Sequence, residues 1–196
     1  MNFPFRAFPA ALMMLVFVLA TPLSAQDGVV RGKFLSLSAG LGLEDDDFPR
    51  NRPSALVVGV DAGYAFVGRL RVSVAGAVGR RSFDLGNDRL HRNLAFLDVA
   101  AEVAVVRTPS VELGVRLGIG ARMDDDVNET DPEFRSSSNW DGALVPGIVL
   151  RHRLSHNFAL MAGFKDYVID IPNRLFDPSE AAVRHDLLLE LGLIFR

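Results

Sequence analysis

The stretch Val111–Gly120 reads VELGVRLGIG, in which bulky apolar residues alternate with small or charged ones. Its odd positions are all aliphatic, whereas its even positions are glycine or a charged residue. Because successive side chains of a β-strand point to opposite faces, this alternation predicts a strand. One face of that strand is bulky and apolar, and the other is small or charged.

The same period of two recurs along the chain and defines eight segments of about 9–13 residues each, the length that a tilted strand needs to cross a bilayer. A soluble β-sandwich would have shorter strands and an outer face richer in Lys, Thr and Glu. The second face here is rich in glycine and alanine, which suits the crowded interior of a narrow barrel. The segments are 33–43, 56–66, 70–78, 97–105, 111–120, 143–151, 158–165 and 186–195.

The linkers between these segments alternate between short and long. The short ones are 67–69, 107–110 and 153–157, and the long polar ones are 44–53, 80–93, 122–139 and 170–184. Transmembrane barrels show this asymmetry, with short periplasmic turns and long external loops. We therefore predict an all-β fold, an eight-stranded antiparallel up-and-down transmembrane β-barrel with both ends on the periplasmic side.

Composition excludes several classes of function. The chain of 196 residues has no cysteine, which rules out disulfides, thiolate metal sites and a cysteine nucleophile. Its net charge of −3 argues against a nucleic-acid partner. Hydrophobic residues make up 49% of the chain, a high share that the alternating segments account for without a second membrane-spanning helix.

Residues 1–25 have the layout of a secretory signal peptide. Arg6 supplies the positive charge, residues 7–23 form an uncharged apolar run, and Leu23-Ser24-Ala25 is the expected cleavage site. An uncleaved anchor helix is the alternative, but this run lies at the lower limit of length for a membrane span. We expect an exported chain whose barrel domain covers 26–196.

The final segment, HDLLLELGLIF (185–195), places apolar residues at every second position and ends on Phe195. It resembles the terminal strand that the barrel-assembly machinery of outer-membrane proteins reads, although the usual strand ends on the aromatic residue and here Arg196 follows. With the segment pattern and the loop rhythm, residues 33–196 resemble the small eight-stranded outer-membrane barrels, namely the OmpA transmembrane domain, OmpX and their relatives. The resemblance implies a cell outer membrane location in a Gram-negative-type envelope, and it implies no single activity.

Charged residues on the small-residue face predict an ion-pair network in the lumen, because a lumen too narrow for bulk water requires buried charges to be paired. Glu102, Glu112 and Arg116 are expected to pair with one another across a short turn. A gated pore or proton path is the alternative. The expected members are Asp98, Glu102, Glu112, Arg116, Arg71, Arg151, Lys165 and Glu190, and the same face carries Asp61, Asp141 and Asp186.

Two kinds of charged loop invite a binding interpretation. Arg80, Arg81, Arg89 and Arg92 fall in one predicted external loop, where guanidinium groups can pair with lipopolysaccharide phosphates or serve as ordinary surface charge. Acidic clusters lie at 44–47 and 124–131. The second cluster departs from a calcium-binding loop at two required positions, so we expect solvated loops and no metal site.

No constellation of residues predicts catalysis or a cofactor. Ser155-His156 and His185-Asp186 are adjacent pairs, and adjacent strand residues point to opposite faces. The His-x-Ser-Asn motif of the eight-stranded lipid A deacylase barrels is absent. Pro146 lacks the N–H that a closed sheet requires, so a bulge or local break is expected in the sixth segment. Trp140 and Phe158 are expected as aromatic anchors at the membrane interfaces.

The sequence thus predicts a non-enzymatic outer-membrane β-barrel with a structural or surface-interaction role through four long external loops. Its expected partners are outer-membrane lipid, lipopolysaccharide and the barrel-assembly machinery, and its ligand is unidentified. Three alternatives remain open: a lipid-modifying barrel enzyme, a narrow pore, and a soluble lipocalin-like carrier.

Overall fold

A computed structural model describes residues 32–44, 54–66, 69–85, 88–128, 139–169 and 183–196. Eight antiparallel strands follow one another around a closed barrel, and β8 returns to pair with β1. This confirms the predicted fold class. The expected signal peptide and most of the long loops lie outside the described residues. The strands are β1 (Gly32–Glu44), β2 (Ala55–Ala65), β3 (Leu70–Leu85), β4 (Asp88–Arg107), β5 (Val111–Asn128), β6 (Asn139–Arg153), β7 (Phe158–Ile169) and β8 (Arg184–Phe195).

The central strands β3, β4 and β5 are 16, 20 and 18 residues long, longer than expected. Residues 80–93, expected to form a long loop, instead continue β3 and β4 into a hairpin in which Leu85 and Asp88 are the last Cα partners. β5 likewise continues to Asn128, so the loop prediction for 122–139 was too long. The pattern was hidden because a strand that extends beyond the membrane carries polar residues on both faces.

The register fixes the strand tilt. Cα partners followed around the barrel from Gly32, through Arg71 on β3 and Lys165 on β7, lead back to β1 at Gly42, ten residues along. With eight strands, this offset gives a tilt of about 43° and a radius of about 8 Å. Each residue then advances ~2.4 Å along the axis, so the 11 residues of β2 span about 25 Å, the height of an apolar membrane band. The longest strand is nearly twice as tall.

The barrel wall is apolar outside and charged inside. Large aliphatic side chains are exposed on the outer face of every strand, with Ile119 at 71% and Leu191 at 69% exposure. The inner face carries eleven buried charged side chains among small residues. This distribution is the reverse of a soluble carrier with an apolar lumen and matches a transmembrane barrel.

Two apolar clusters share the interior with the charges. Leu94, Phe96, Val145, Tyr167 and Leu188 pack towards the end where the long loops lie, with the Phe96 and Tyr167 rings 4.9 Å apart. A smaller cluster towards the opposite end contains Val149, Ala159, Met161 and Ile194. In the described residues, no helix is long and apolar enough to cross a membrane.

Pro146 interrupts one ladder without shifting it. On β6, Leu144 pairs with Val168 and Gly147 with Lys165, whereas Val145 and Pro146 between them have no partner on β7 in the described ladder. The expected local break is therefore present, and the register is unchanged across it, so there is no bulge. A register shift instead occurs between Ala104 and Val106 of β4, which the sequence did not indicate.

Candidate functional site

Four buried side chains of alternating charge form a tetrad in the lumen. Arg71 faces Glu102 across β3 and β4, and Glu112 faces Arg151 across β5 and β6, with N–O distances of 3.1 Å and 3.3 Å. The two pairs interlock: Arg71 also pairs with Glu112, and Arg151 Nη2 donates to Glu102 Oε2 at 2.6 Å. Each buried charge therefore meets two opposite charges, which offsets its desolvation.

A second group centres on Asp98, whose carboxylate is buried on β4. Arg116 pairs with one oxygen, and the Tyr167 hydroxyl donates to the other at 2.7 Å. Tyr167 was not among the expected site residues, because its single polar atom lies at the end of a side chain that otherwise packs against Phe96. Its position on the inward face of β7 was the one signal that could have indicated the contact.

Glu190 on β8 connects this group to the first strand. Lys165 Nζ lies 3.1 Å from Glu190 Oε2 and 3.7 Å from Asp98 Oδ2. Ser38 Oγ on β1 donates to Glu190 Oε1 at 3.1 Å. The Ser38–Glu190 hydrogen bond therefore links β1 and β8, which are neighbours only through barrel closure.

A third group lies towards the long loops. Arg122 Nε is 2.6 Å from Asp186 Oδ2, and both side chains are almost fully buried. Arg184 Nη2 donates to Asp141 Oδ2 at 2.8 Å. Arg122 was missed because its polar sequence neighbourhood indicated a loop.

The expected pairing of Arg116 with Glu102 and Glu112 is wrong. Arg116 and Glu102 are Cα partners, but the Glu102 carboxylate forms its ion pairs with Arg71 and Arg151. Arg116 pairs with Asp98 instead and lies 3.8 Å from Asp61. Without Arg116, the buried Asp98 would keep only the Tyr167 hydroxyl and the Lys165 ammonium group 3.7 Å away, so the pairing with Arg116 offsets much of its desolvation.

Inward glycines make room for these side chains. A Cβ at Gly114 would collide with the Glu102 carboxylate. A Cβ at Gly147 would lie 2.9 Å from Cγ of Arg116 and 2.6 Å from the Phe164 carbonyl oxygen. The glycines of the inner face thus leave the space that the long charged side chains beside them fill.

The four arginines expected at lipid phosphates do not share one face. Arg80 is exposed on the outer surface of β3, whereas Arg81 points inward and is 4% exposed. Arg92 is the Cα partner of Arg81 and so lies on the same inner face. Arg81 therefore does not face lipid, contrary to the expectation, and the side chain of Arg89 lies outside the described residues.

Of the side chains considered for catalysis, Ser155 and His185 have defined contacts in the structure. Ser155 Oγ accepts the backbone N–H groups of Asn157 and Phe158, at 3.3 Å and 3.2 Å, and so closes the β6–β7 turn. His156 is exposed on that turn. His185 Nδ1 lies 2.9 Å from Asp166 Oδ2 rather than against its sequence neighbour.

A further serine–histidine contact was not predicted from the sequence. Ser82 Oγ lies 2.8 Å from His91 Nδ1 on the exposed outer face of the β3–β4 hairpin. The two residues are equidistant from the turn, a relation that becomes visible only once the hairpin is recognised. Within the described ranges, no group of three or more histidines, cysteines and carboxylates is arranged to hold a metal ion. Residues 45–47 and 129–131 of the two acidic clusters lie outside those ranges.

Aromatic residues mark both ends of the outer apolar surface. Trp140 is 53% exposed at the end with the long loops. Phe158 packs edge-on against Phe195 at the other end, where Tyr64 and Phe66 form a second pair. Such girdles flank the apolar band of membrane barrels, and the fold, the outer surface and the charged lumen together define a small transmembrane β-barrel.

No family model and no curated protein matches this chain. Solved structures do match: Ail, the attachment invasion locus protein of Yersinia pestis, solved in complex with the heparin analogue sucrose octasulfate, has 17% identity and a TM-score of 0.58 over 84% of this chain and 99% of its own. Neisserial surface protein A has 13% identity and a TM-score of 0.59, covering 84% and 96%. The N-terminal β-barrel domain of Pseudomonas aeruginosa OprF has 15% identity and a TM-score of 0.50, covering 84% and 99%. The chain has the fold of the small eight-stranded outer-membrane barrels.

Proposed function

We propose that this protein resides in the outer membrane as a non-enzymatic barrel that acts through its external loops. The observation that carries the proposal is the distribution of side chains across the barrel wall, with leucine and valine on the outside and paired charges on the inside, the reverse of a soluble protein. Buried ion pairs in a barrel of this radius favour a rigid, closed support over a transport path. The working surface is then the set of loops at the taller end.

The extended strands raise that surface above the membrane. By the rise per residue derived above, β3, β4 and β5 project roughly 10–20 Å beyond the apolar band. The solved Ail complex contains a heparin analogue, and a surface-interaction role of that general kind is our proposal for the loops here.

Lipopolysaccharide is the proposed lipid partner, and Arg80 is the residue we assign to it. Arg80 is exposed on the outer face, two residues beyond the outward Val78 and opposite the outward Leu56 of β2. A guanidinium just above an apolar band is placed to pair with a lipid phosphate. The barrel-assembly machinery is the proposed partner for β8 during insertion.

Fractionation tests the location. Expressed in a Gram-negative host, the protein is expected in the detergent-extracted outer-membrane fraction and to migrate as a compact species on gels unless it is heated. Recovery in the soluble periplasm would overturn the proposal in favour of a carrier. External protease should cleave within the long loops of intact cells.

The lipid-modifying enzyme remains a second candidate because of the Ser82–His91 contact. Ser82→Ala and His91→Ala are expected to leave the lipid A composition of the host unchanged, with Ser155→Ala as a matched serine control on the opposite turn. A change in acylation that both Ser82→Ala and His91→Ala abolish, but the control retains, would support the enzyme instead.

A further inference from the structure

The end of the barrel formed by the short turns, here called the short-turn end, is strongly basic. It comprises Gly32–Lys33, Phe66 and Arg69 between β2 and β3, the β4–β5 and β6–β7 turns, the tetrad of the lumen and Arg196. Its described carboxylates are Glu102 and Glu112, although the chain as a whole carries a net charge of −3. Its basic residues are Lys33, Arg69, Arg71, Arg107, Arg151, Arg153 and Arg196.

The two carboxylates are already engaged. Glu102 and Glu112 hold Arg71 and Arg151 in the tetrad, and Glu112 also pairs with Arg107 Nη2 at 2.7 Å. No further side-chain carboxylate in the described residues of this end is available to neutralise the remaining cations.

Three cations lack a side-chain ion-pair partner. In the part of the chain that the structure describes, Lys33, Arg153 and Arg196 make no side-chain ion pair or hydrogen bond. Lys33 and Arg153 are exposed, and Arg196 is half-buried. A group of unpaired cations beside a low-dielectric wall creates a positive potential that attracts anions.

Arg196 sits between two small cavities at the mouth of the lumen. Its backbone N–H donates to the Asn157 carbonyl oxygen at 3.0 Å, which fixes it over the opening. One cavity, of about 10 Å³, is lined by Lys33 and Arg151 among others, and the second, of about 20 Å³, by Arg151 and Arg153. Arg196 lines both.

The electrostatics agree with this geometry. Burial, together with the neighbouring cations Arg71 and Arg153, lowers the pKa of the Arg196 guanidinium. The positive charges at the mouth therefore repel one another, and a bound anion would relieve that repulsion. Each cavity holds about one water, so the oxygens of an anion can enter while the rest of the group stays at the opening.

We propose that the short-turn end is a phosphate-binding site in which Arg153 and Arg196 are the principal donors and Lys33 contributes from the rim. Guanidinium groups bind phosphate oxygens in bidentate fashion, which suits this pair. The phosphate belongs either to a lipid headgroup of the adjacent leaflet or to a soluble phosphate ester. This inference does not depend on the proposed function, because it holds whichever compartment this end faces.

Titration with inorganic phosphate tests the site. The whole barrel is folded in maltoside micelles, which contain no phosphate, and binding is followed by arginine side-chain NMR. We expect saturable binding that weakens about tenfold or more in the double variant Arg153→Gln/Arg196→Gln. Arg184→Gln, at the opposite end where Arg184 is paired with Asp141, is the matched control and should bind as the native chain does.

A second arm distinguishes the sources of phosphate. The same NMR signals are then recorded in nanodiscs of phosphatidylcholine with an increasing share of phosphatidylglycerol. Chemical-shift changes of Arg153 and Arg196 that grow with the phosphatidylglycerol content would assign the site to a lipid headgroup. Binding of free phosphate without that dependence would assign it to a soluble ester.

Absence of both effects, or equal binding by the double variant and the native chain, would overturn the proposal. If the double variant does not fold, the native barrel decides the question. Phosphate must then shift the arginine signals of the short-turn end and not that of Arg184, and a uniform shift of all of them would refute the site.

Discussion

The carboxylate of Glu102 shows how the lumen tolerates charge. It lies inside a wall of about 8 Å radius, where an isolated carboxylate would cost several kcal/mol. Contacts from both Arg71 and Arg151 offset that cost. The stability of the barrel therefore depends on complete pairing, and loss of one partner should cost more than loss of an exposed charge.

Arg151→Met tests this dependence. The substitution leaves Glu102 and Glu112 short of one buried partner, so we expect the free energy of unfolding to fall by about 3–5 kcal/mol. Urea unfolding of the protein in detergent micelles measures the change. Arg153→Met, two residues along the same strand and exposed, is the matched control and should change the free energy by less than about 0.5 kcal/mol. Equal effects of the two substitutions would contradict the paired-lumen account.

Two interior glycines on neighbouring strands make a second matched pair. Gly147→Ala should destabilise the barrel by about 1–3 kcal/mol, because the new methyl group meets the Phe164 carbonyl oxygen and the Arg116 side chain. Gly163→Ala should be tolerated, since the atom nearest to the new methyl group is Glu190 Oε2, at an ordinary contact distance of 3.6 Å. Thermal unfolding followed by circular dichroism compares the two variants. A larger loss of stability in Gly163→Ala than in Gly147→Ala would contradict the assigned difference in space at the two positions.

At this scale, the sequence predicted which residues face the lumen but not which residues pair. The side of each strand follows from the period of two, so Asp98, Lys165 and Glu190 could be placed on the inner face. The partner of Arg116 could not be identified, because the strand tilt and the long side chain let it reach past its Cα partner Glu102 to Asp98.

Among the strands, the β6–β7 seam is interrupted in the middle of its ladder. Val145 and Pro146 have no ladder partners on β7, and the missing proline N–H accounts for the gap. We expect the amides of Asp166 and Tyr167 to exchange about tenfold faster than those of their neighbours, the equivalent of one net hydrogen bond. Hydrogen exchange followed by NMR measures this rate, and Pro146→Val should slow it. Uniform protection along β7 would contradict the proposed gap.

Strand existence was predictable for all eight elements, whereas strand ends were not. Within the membrane, the outward face must be apolar, so the alternation is visible from Val72 to Val78. Beyond it, Arg80, Ser82 and His91 lie on the outer surface, and the contrast between an apolar and a polar face disappears. The β3–β4 hairpin is then held by backbone hydrogen bonds that carry no signature in the residue types.

For the whole molecule, the filled lumen predicts the electrical behaviour. Purified protein in planar bilayers should give no steady single-channel conductance, because three groups of buried ion pairs lie along the lumen. Heat-denatured protein is the control for detergent artefacts. A steady conductance that Glu102→Ala alters would favour the narrow pore over the plugged barrel.

The contact of Glu190 with both Ser38 and Lys165 has a consequence for the order of folding. The β1–β8 seam joins the two ends of the sheet, a contact of very high sequence separation that forms slowly. Glu190 finds Lys165 on the preceding strand early, but reaches Ser38 only when the seam closes. The hydrogen bond between Glu190 and Ser38 can therefore exist only in a completed barrel. It stabilises the closed state of the sheet specifically, because an open sheet retains the contact with Lys165 but loses the contact with Ser38.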